Sequence, residues 1–315
     1  MRKLLAVGVL MLLVVSLASG CIGSGNVKEK IGEKVETLKP QILSVSHRWG
    51  EITPTTSEVI TEIVVSNPNS IPIPIKNISV HLYMNGVDMG AGKNVGPASL
   101  QPKANTTIVL LTKIDNTKIP KWWVSHLRNG EKTDVLLKGS ITFDLKVTDF
   151  EWPFEQRSTV KTDILSGLQF KNVPIDIDLK LASIRLYANV TSRLDSVEEG
   201  YTQISHTVVL YNTNKLLPVA VSGIAYEVYM NDIKVGEGEE EKSALIPPQS
   251  TATFDMNTII ENGKLDNWWV SHLKNGEKTK VVVQYYFVFR IGDLEVVRIP
   301  FNSMESEIKT NVLGS

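Results

Sequence analysis

Two Ser-His pairs are the first residues of this chain whose types could do chemistry. Ser125 precedes His126, and Ser271 precedes His272. A nucleophilic serine needs a histidine base within hydrogen-bond reach, and that base needs an orienting acid. Neighbours on a helix diverge by about 100°, so neither pair reads as a dyad and no catalytic residue is assigned. His47, His81 and His206 have neither an i,i+4 histidine nor a cysteine beside them. A dedicated zinc site needs such clustering, so no metal ligand is assigned. Glu237, Glu239, Glu240 and Glu241 read as a solvated acidic loop without the regular Asp/Asn spacing of a calcium loop. The sequence has no P-loop and no dinucleotide-type glycine motif after a strand. The expectation is a protein that is not an enzyme and has no cofactor.

Aromatic side chains offer another chemistry. Trp122 and Trp123 open the block WWVSHLRNGEKT, which ends at Thr133. From Trp268 to Thr279 the chain reads WWVSHLKNGEKT, with Lys274 in place of Arg128 as the one change. A match this long indicates two copies of one domain. On a helix, one tryptophan of each pair can enter the core while the other stays at its rim, where amphipathic indole suits a half-wet place. Trp122, Trp123, Trp268 and Trp269 are therefore candidate contacts to a partner, a membrane or a sugar. The alternative is a bulky wedge that closes one end of the domain.

The elements that must position these residues follow from periodicity. Ile119, Trp122, Trp123 and Leu127 have helical spacing, as do Leu265, Trp268, Trp269 and Leu273. Pro120 suits a first helical turn, and Gly130 and Gly276 suit C-terminal stops. Residues 62–66 and 206–211 are β-branched runs, and Ile78 to Met84 alternates apolar with polar before Asn85-Gly86, a hairpin turn signal. Weaker matches extend the repeat, ending with Lys161-Thr-Asp-Ile-Leu165 against Lys309-Thr-Asn-Val-Leu313. The reading is a mainly β chain of two tandem Ig/fibronectin-like β-sandwich domains, residues 41–165 and 175–315, each with one short α-helix.

The N-terminus reads as an address. Arg2 and Lys3 precede an apolar run, Leu4 to Leu17, and then Ala18-Ser-Gly-Cys21. This is the layout of a signal peptide over residues 1–20, and Cys21 is the lone cysteine of the sequence. Its setting resembles the lipobox of prokaryotic lipoproteins, which implies cleavage before Cys21 and a lipid on its thiol. The alternative is an uncleaved signal anchor. Residues 21–40 then read as a tether, and the localisation expected is the outer face of the cell membrane. Removing residues 1–20 takes away Arg2 and Lys3 and shifts the net charge from −1 to −3. That balance argues against nucleic acid as a partner. On an exported chain, Asn77, Asn105 and Asn189 also fit the glycosylation acceptor pattern.

Asn67-Pro68-Asn69 follows the strand EIVVS and precedes IPIPI at 71–75, and a helix comes before the last strands. This order resembles the type-2 late embryogenesis abundant domain, also called the WHy (water stress and hypersensitive response) domain. The second copy keeps Asn212 and Asn214 but has Thr213 in place of the proline. The resemblance implies a structured sandwich with one helix and a non-enzymatic role in water stress or desiccation. The alternative is a binding or scaffolding module with protein partners in a cell-envelope complex.

Overall fold

Alternation of burial sets the strands. From Thr56 to Asn67 every second residue, starting at Ser57, points inward. A period of two places these side chains on one face of a pleated strand. The computed structural model describes residues 39–144, 149–179, 182–291 and 294–313. The expected signal peptide (residues 1–20), Cys21 and the expected tether as far as residue 38 lie outside them. In the first copy the elements are β1 (Gln41–Ile52), β2 (Thr56–Asn67), β3 (Ile73–Met84), β4 (Val87–Asn94), β5 (Ser99–Leu100), β6 (Ala104–Asp115), α1 (Ile119–Arg128), β7 (Lys132–Asp144) and β8 (Asp149–Lys161). A short α2 (Ile164–Gly167) follows. The second copy has β9 (Phe170–Leu179), β10 (Ala182–Val197), β11 (Tyr201–Asn212), β12 (Val219–Val221), β13 (Ile224–Met230), β14 (Ile233–Glu240), β15 (Ala244–Ile246), β16 (Thr251–Glu261), α3 (Leu265–Lys274), β17 (Lys278–Ile291) and β18 (Leu294–Lys309).

The first sheet has the order β1-β2-β6-β4-β3-β7-β8, and the second repeats it as β10-β11-β16-β14-β13-β17-β18. The strand β9 adds an edge beside β10, so the second sheet begins before residue 175. The chain is mainly β with two tandem β domains, and each sandwich is one sheet folded over on itself. The layers β1-β2-β6 and β3-β7-β8 are joined by β4, which pairs with β3 up to Gly92 and with β6 from Gly92 to Asn94. Glycine allows this passage: a Cβ on Gly90 would lie 1.9 Å from the Lys113 carbonyl oxygen. The Asn85-Gly86 turn has positive φ at both residues, as has Asn231-Asp232 in the second copy.

The helix α1 buries Ile119, Trp122, Trp123 and Leu127, and α3 buries Leu265, Trp268, Trp269 and Leu273. Gly130 and Gly276 follow at φ +67° and +68°. One expectation is corrected: the acidic run is no free loop. Glu237 and Glu239 stand on β14, paired with Lys234 at 2.8 Å and Arg298 at 2.7 Å.

Candidate functional site at the junction of the two copies

The duplicated block builds the same polar chain in each copy. Trp122 Nε1 donates to Thr133 Oγ1 at 2.8 Å, and Thr133 Oγ1 lies 2.8 Å from His126 Nδ1. On the other side of the ring, His126 Nε2 lies 2.8 Å from Thr162 Oγ1, which donates to Glu131 Oε2 at 2.8 Å. Donors and acceptors balance with one neutral tautomer. Thr133 gives its proton to Nδ1, and Nε2–H donates to Thr162. Glu131 also accepts from the backbone N–H groups of Ile164 and Leu165, so it caps α2. The second copy repeats the chain through Trp268, Thr279, His272, Thr310 and Glu277. Burial lowers the pKa of both histidines to about 4, against the opposing pull of Glu131 or Glu277. Ser125 and Ser271 turn away and donate to the carbonyls of Trp122 and Trp268 at 2.6 and 2.7 Å. The Ser and His groups are thus engaged with different partners.

The tryptophans meet across the copies. Trp122 packs on Trp269 with ring centroids 5.3 Å apart, and Trp123 on Trp268 at 5.5 Å. All four are at most 4% exposed. The expected rim position is corrected, because each copy covers the rim of the other. The rings face one another and leave no surface for a membrane or a sugar. Trp123 Nε1 donates to Thr202 Oγ1 in the second copy at 3.1 Å. Trp49 packs edge-on against Trp269 and donates to Glu277 Oε1 at 2.9 Å. Arg128, at the varied position of the block, donates twice to the Val197 carbonyl across the junction. Trp269 Nε1 is buried without a hydrogen-bond partner among the described residues.

The segments after the last strands cross over as well. Val312 is 1% exposed, and with Leu313 it lines the interior of the first copy beside His47, Leu82, Val135 and Gln156. A cavity of about 30 Å³ remains there. In return, Leu168 is 5% exposed and its carbonyl accepts from Ser192 of the second copy at 2.6 Å. That serine is joined to His206, whose burial also lowers its pKa to about 4.

The motif asparagines hold backbone. Asn67 Nδ2 donates to the carbonyls of Ile71 and Leu100, and its Oδ1 accepts from Asn69 N and Nδ2. Asn212 does the same for Leu217, Ile246 and Asn214. Pro68 is half-buried beside them. Asn77 and Asn105 are exposed on strands, whereas Asn189 is half-buried and accepts from Asn172 N at 2.9 Å. Sequence reasoning missed the roles of Glu131, Thr162, Glu277, Thr310 and Trp49. For the first four the signal was present, since Glu131/Glu277 and Thr162/Thr310 recur in the repeat.

Comparison with known proteins adds to this geometry. The family model described as late embryogenesis abundant protein matches residues 62–158 and 207–304. The chain is 25% identical over 143 residues to the desiccation protectant protein Lea14 homolog of Glycine max, covering 45% of this chain and 93% of that protein. A crystal structure of a protein from Archaeoglobus fulgidus is 27% identical, with a TM-score of 0.37, over 39% of this chain and 98% of that one. A solution structure from Arabidopsis thaliana is 24% identical, with a TM-score of 0.31, over 39% of this chain and 80% of that one.

Proposed function

This chain belongs to the late embryogenesis abundant protein family, twice over, and from that membership we propose a non-enzymatic stress-response role of the water-stress type. The observation that carries the reading is the family match in both copies, supported by similarity to a desiccation protectant protein. In this reading each copy is a WHy-type domain. The chain is a prokaryotic lipoprotein, tethered through Cys21 to the outer face of the cell membrane. The side chains with reactive potential at the junction are engaged in structural bonds, which accords with protection rather than turnover. The physical route is weak apolar contact that keeps partly unfolded neighbours from aggregating. The test is a drying assay. A drying-sensitive enzyme, dried with and without the purified protein, is expected to retain more activity than with an equal mass of albumin. Equal retention would sink the reading.

A second reading is a scaffolding module of an envelope complex. It is favoured by aliphatic side chains exposed at the same turn of both copies: Ile71 at 55%, and Leu216 at 86% with Leu217 at 48%. Cross-linking in the native membrane that traps one stoichiometric partner at Leu216 would favour it over general protection.

A further inference from the structure

Pro40 leads into β1 at one end of the first copy. Gln41 pairs with Ser66 there, so the entering chain lies beside the end of β2 and the Asn67-Pro68-Asn69 turn. Leu43 and Ile71 are large aliphatic side chains that stay in solvent at this end. Leu43 is 52% exposed as the extra residue of a bulge, because Ile42 pairs with Val65 and Ser44 with Val64. Ile71 is exposed because its carbonyl, not its side chain, is what Asn67 holds. Pro72 beside it is exposed too. A single exposed Leu or Ile is ordinary; the surroundings of this pair are not.

The chain around this pair carries no acid. Segments 40–44, 66–72 and 95–106 contain Lys103 and no Asp or Glu. Lys103 is exposed, and its backbone N–H donates to the Asn69 carbonyl, which fixes it at the turn. The β7–β8 hairpin reaches the same end, since Phe143 pairs with Ile75. It brings Asp144 and Asp149, and Lys76 pairs with Asp149 at 2.5 Å. The covalent connection is the third observation. The chain that enters here carries the apolar run Leu4 to Leu17 and Cys21. From Cys21 to Lys39 there are 19 residues, which span at most about 65 Å when fully extended. A surface held that close meets the membrane at an effective concentration on the order of millimolar, so weak contacts suffice.

We propose that this end of the first copy docks on the lipid surface, with Leu43 and Ile71 entering the headgroup region and Lys103 facing anionic headgroups. The proposal rests on the tethered reading above. Aliphatic side chains beside a lysine suit that interface, where apolar atoms leave water and a cation meets anionic lipid.

The test uses the full-length protein extracted from its native membrane and reconstituted in vesicles of phosphatidylcholine with phosphatidylglycerol. Ile71→Cys and, separately, Leu216→Cys are labelled with an environment-sensitive fluorophore, Cys21 being blocked by its lipid. Unchanged melting temperatures check that both variants are folded. The expected result is a blue shift at position 71 and several-fold stronger quenching by bilayer nitroxide lipids than at position 216. The effect should shrink with Leu43→Ser and in pure phosphatidylcholine. Protein that floats with the vesicles while position 71 stays as aqueous as position 216 overturns the docking and leaves the tether standing. Protein that neither floats nor carries lipid by intact mass overturns the tether, and the docking with it.

Discussion

At the scale of single residues, the block that occurs twice is a hydrogen-bonding requirement written out. Trp122, His126, Glu131 and Thr133 form one directed chain with Thr162, and each loses its partner if a neighbour changes. Neutral imidazole closes the chain. A second ring proton, on Nδ1, would take away the acceptor of the Thr133 hydroxyl proton, and the charge would be buried. The pKa values of His126, His206 and His272 fall to about 4, first through burial. The sign follows from linkage. Between about pH 6.5 and 4 the unfolded chain binds protons that the folded chain refuses, so stability is complete above pH 6.5 and is lost as pH falls. Each histidine contributes a loss on the order of 3 kcal/mol by pH 4. Glu227, whose pKa is lowered mainly by its hydrogen bond from Lys234, adds its own loss only below the usual carboxylate range. The thermal midpoint should therefore be flat from about pH 7 to about pH 9, below the range where the buried Tyr226 and Tyr285 resist ionisation, and drop continuously from about 6.5 to 4.5, where histidines alone act. A midpoint constant over that window, followed by circular dichroism, would show that the imidazoles take up protons as easily folded as unfolded.

At the scale of elements, glycines of one type do different work. Gly86 has φ +78° with open space around its Cβ position, so Gly86→Ala meets only backbone strain, about 1 kcal/mol. At Gly90 an added Cβ would sit 1.9 Å from backbone oxygen where β4 crosses from one layer to the other. Gly90→Ala must push β4 off β6 and should cost about 2–4 kcal/mol. Denaturant melts of the two variants measure the contrast, and equal shifts would mean that β4 tolerates displacement. This difference marks how far the sequence could be read. The Asn85-Gly86 turn, the α1 spacing and the period-two strands are local patterns, and all stand in the structure as read. The β4 crossing was not legible, because it depends on Lys113, 23 residues away. Glu131 and Glu277 adopt φ +57° and +59°, and no side-chain type announces that, since these residues normally avoid the left-handed region. Both tryptophans of each pair are buried for the same kind of reason: a rim on one copy is covered only once the other copy is in place.

At the scale of the whole molecule, the copies interlock by a reciprocal rule. Trp122 meets Trp269 while Trp123 meets Trp268, the pattern of an isologous contact in which i touches j and j touches i. A change in one copy of the block alters the surroundings of the other, since each packs on its counterpart. The terminal segments deepen the dependence, for Val312 and Leu313 line the first interior while Leu168 enters the second copy. Neither copy then holds a complete core of its own. A fragment of residues 40–168 would expose Trp122 and Trp123 and would lack Val312. It keeps a helix face shaped to receive a nearly identical helix, so two fragments can pair through α1 where α1 and α3 now meet. The expectation is a fragment that dimerises in sedimentation equilibrium and melts below the intact chain, with Trp123→Ala making it monomeric and weaker by about 3–5 kcal/mol. The same substitution in the intact chain should leave its oligomeric state unchanged, because the second copy is supplied covalently. A fragment that stays monomeric and melts at the temperature of the whole would show that the copies are independent domains, and that their shared tryptophan junction adds little to either.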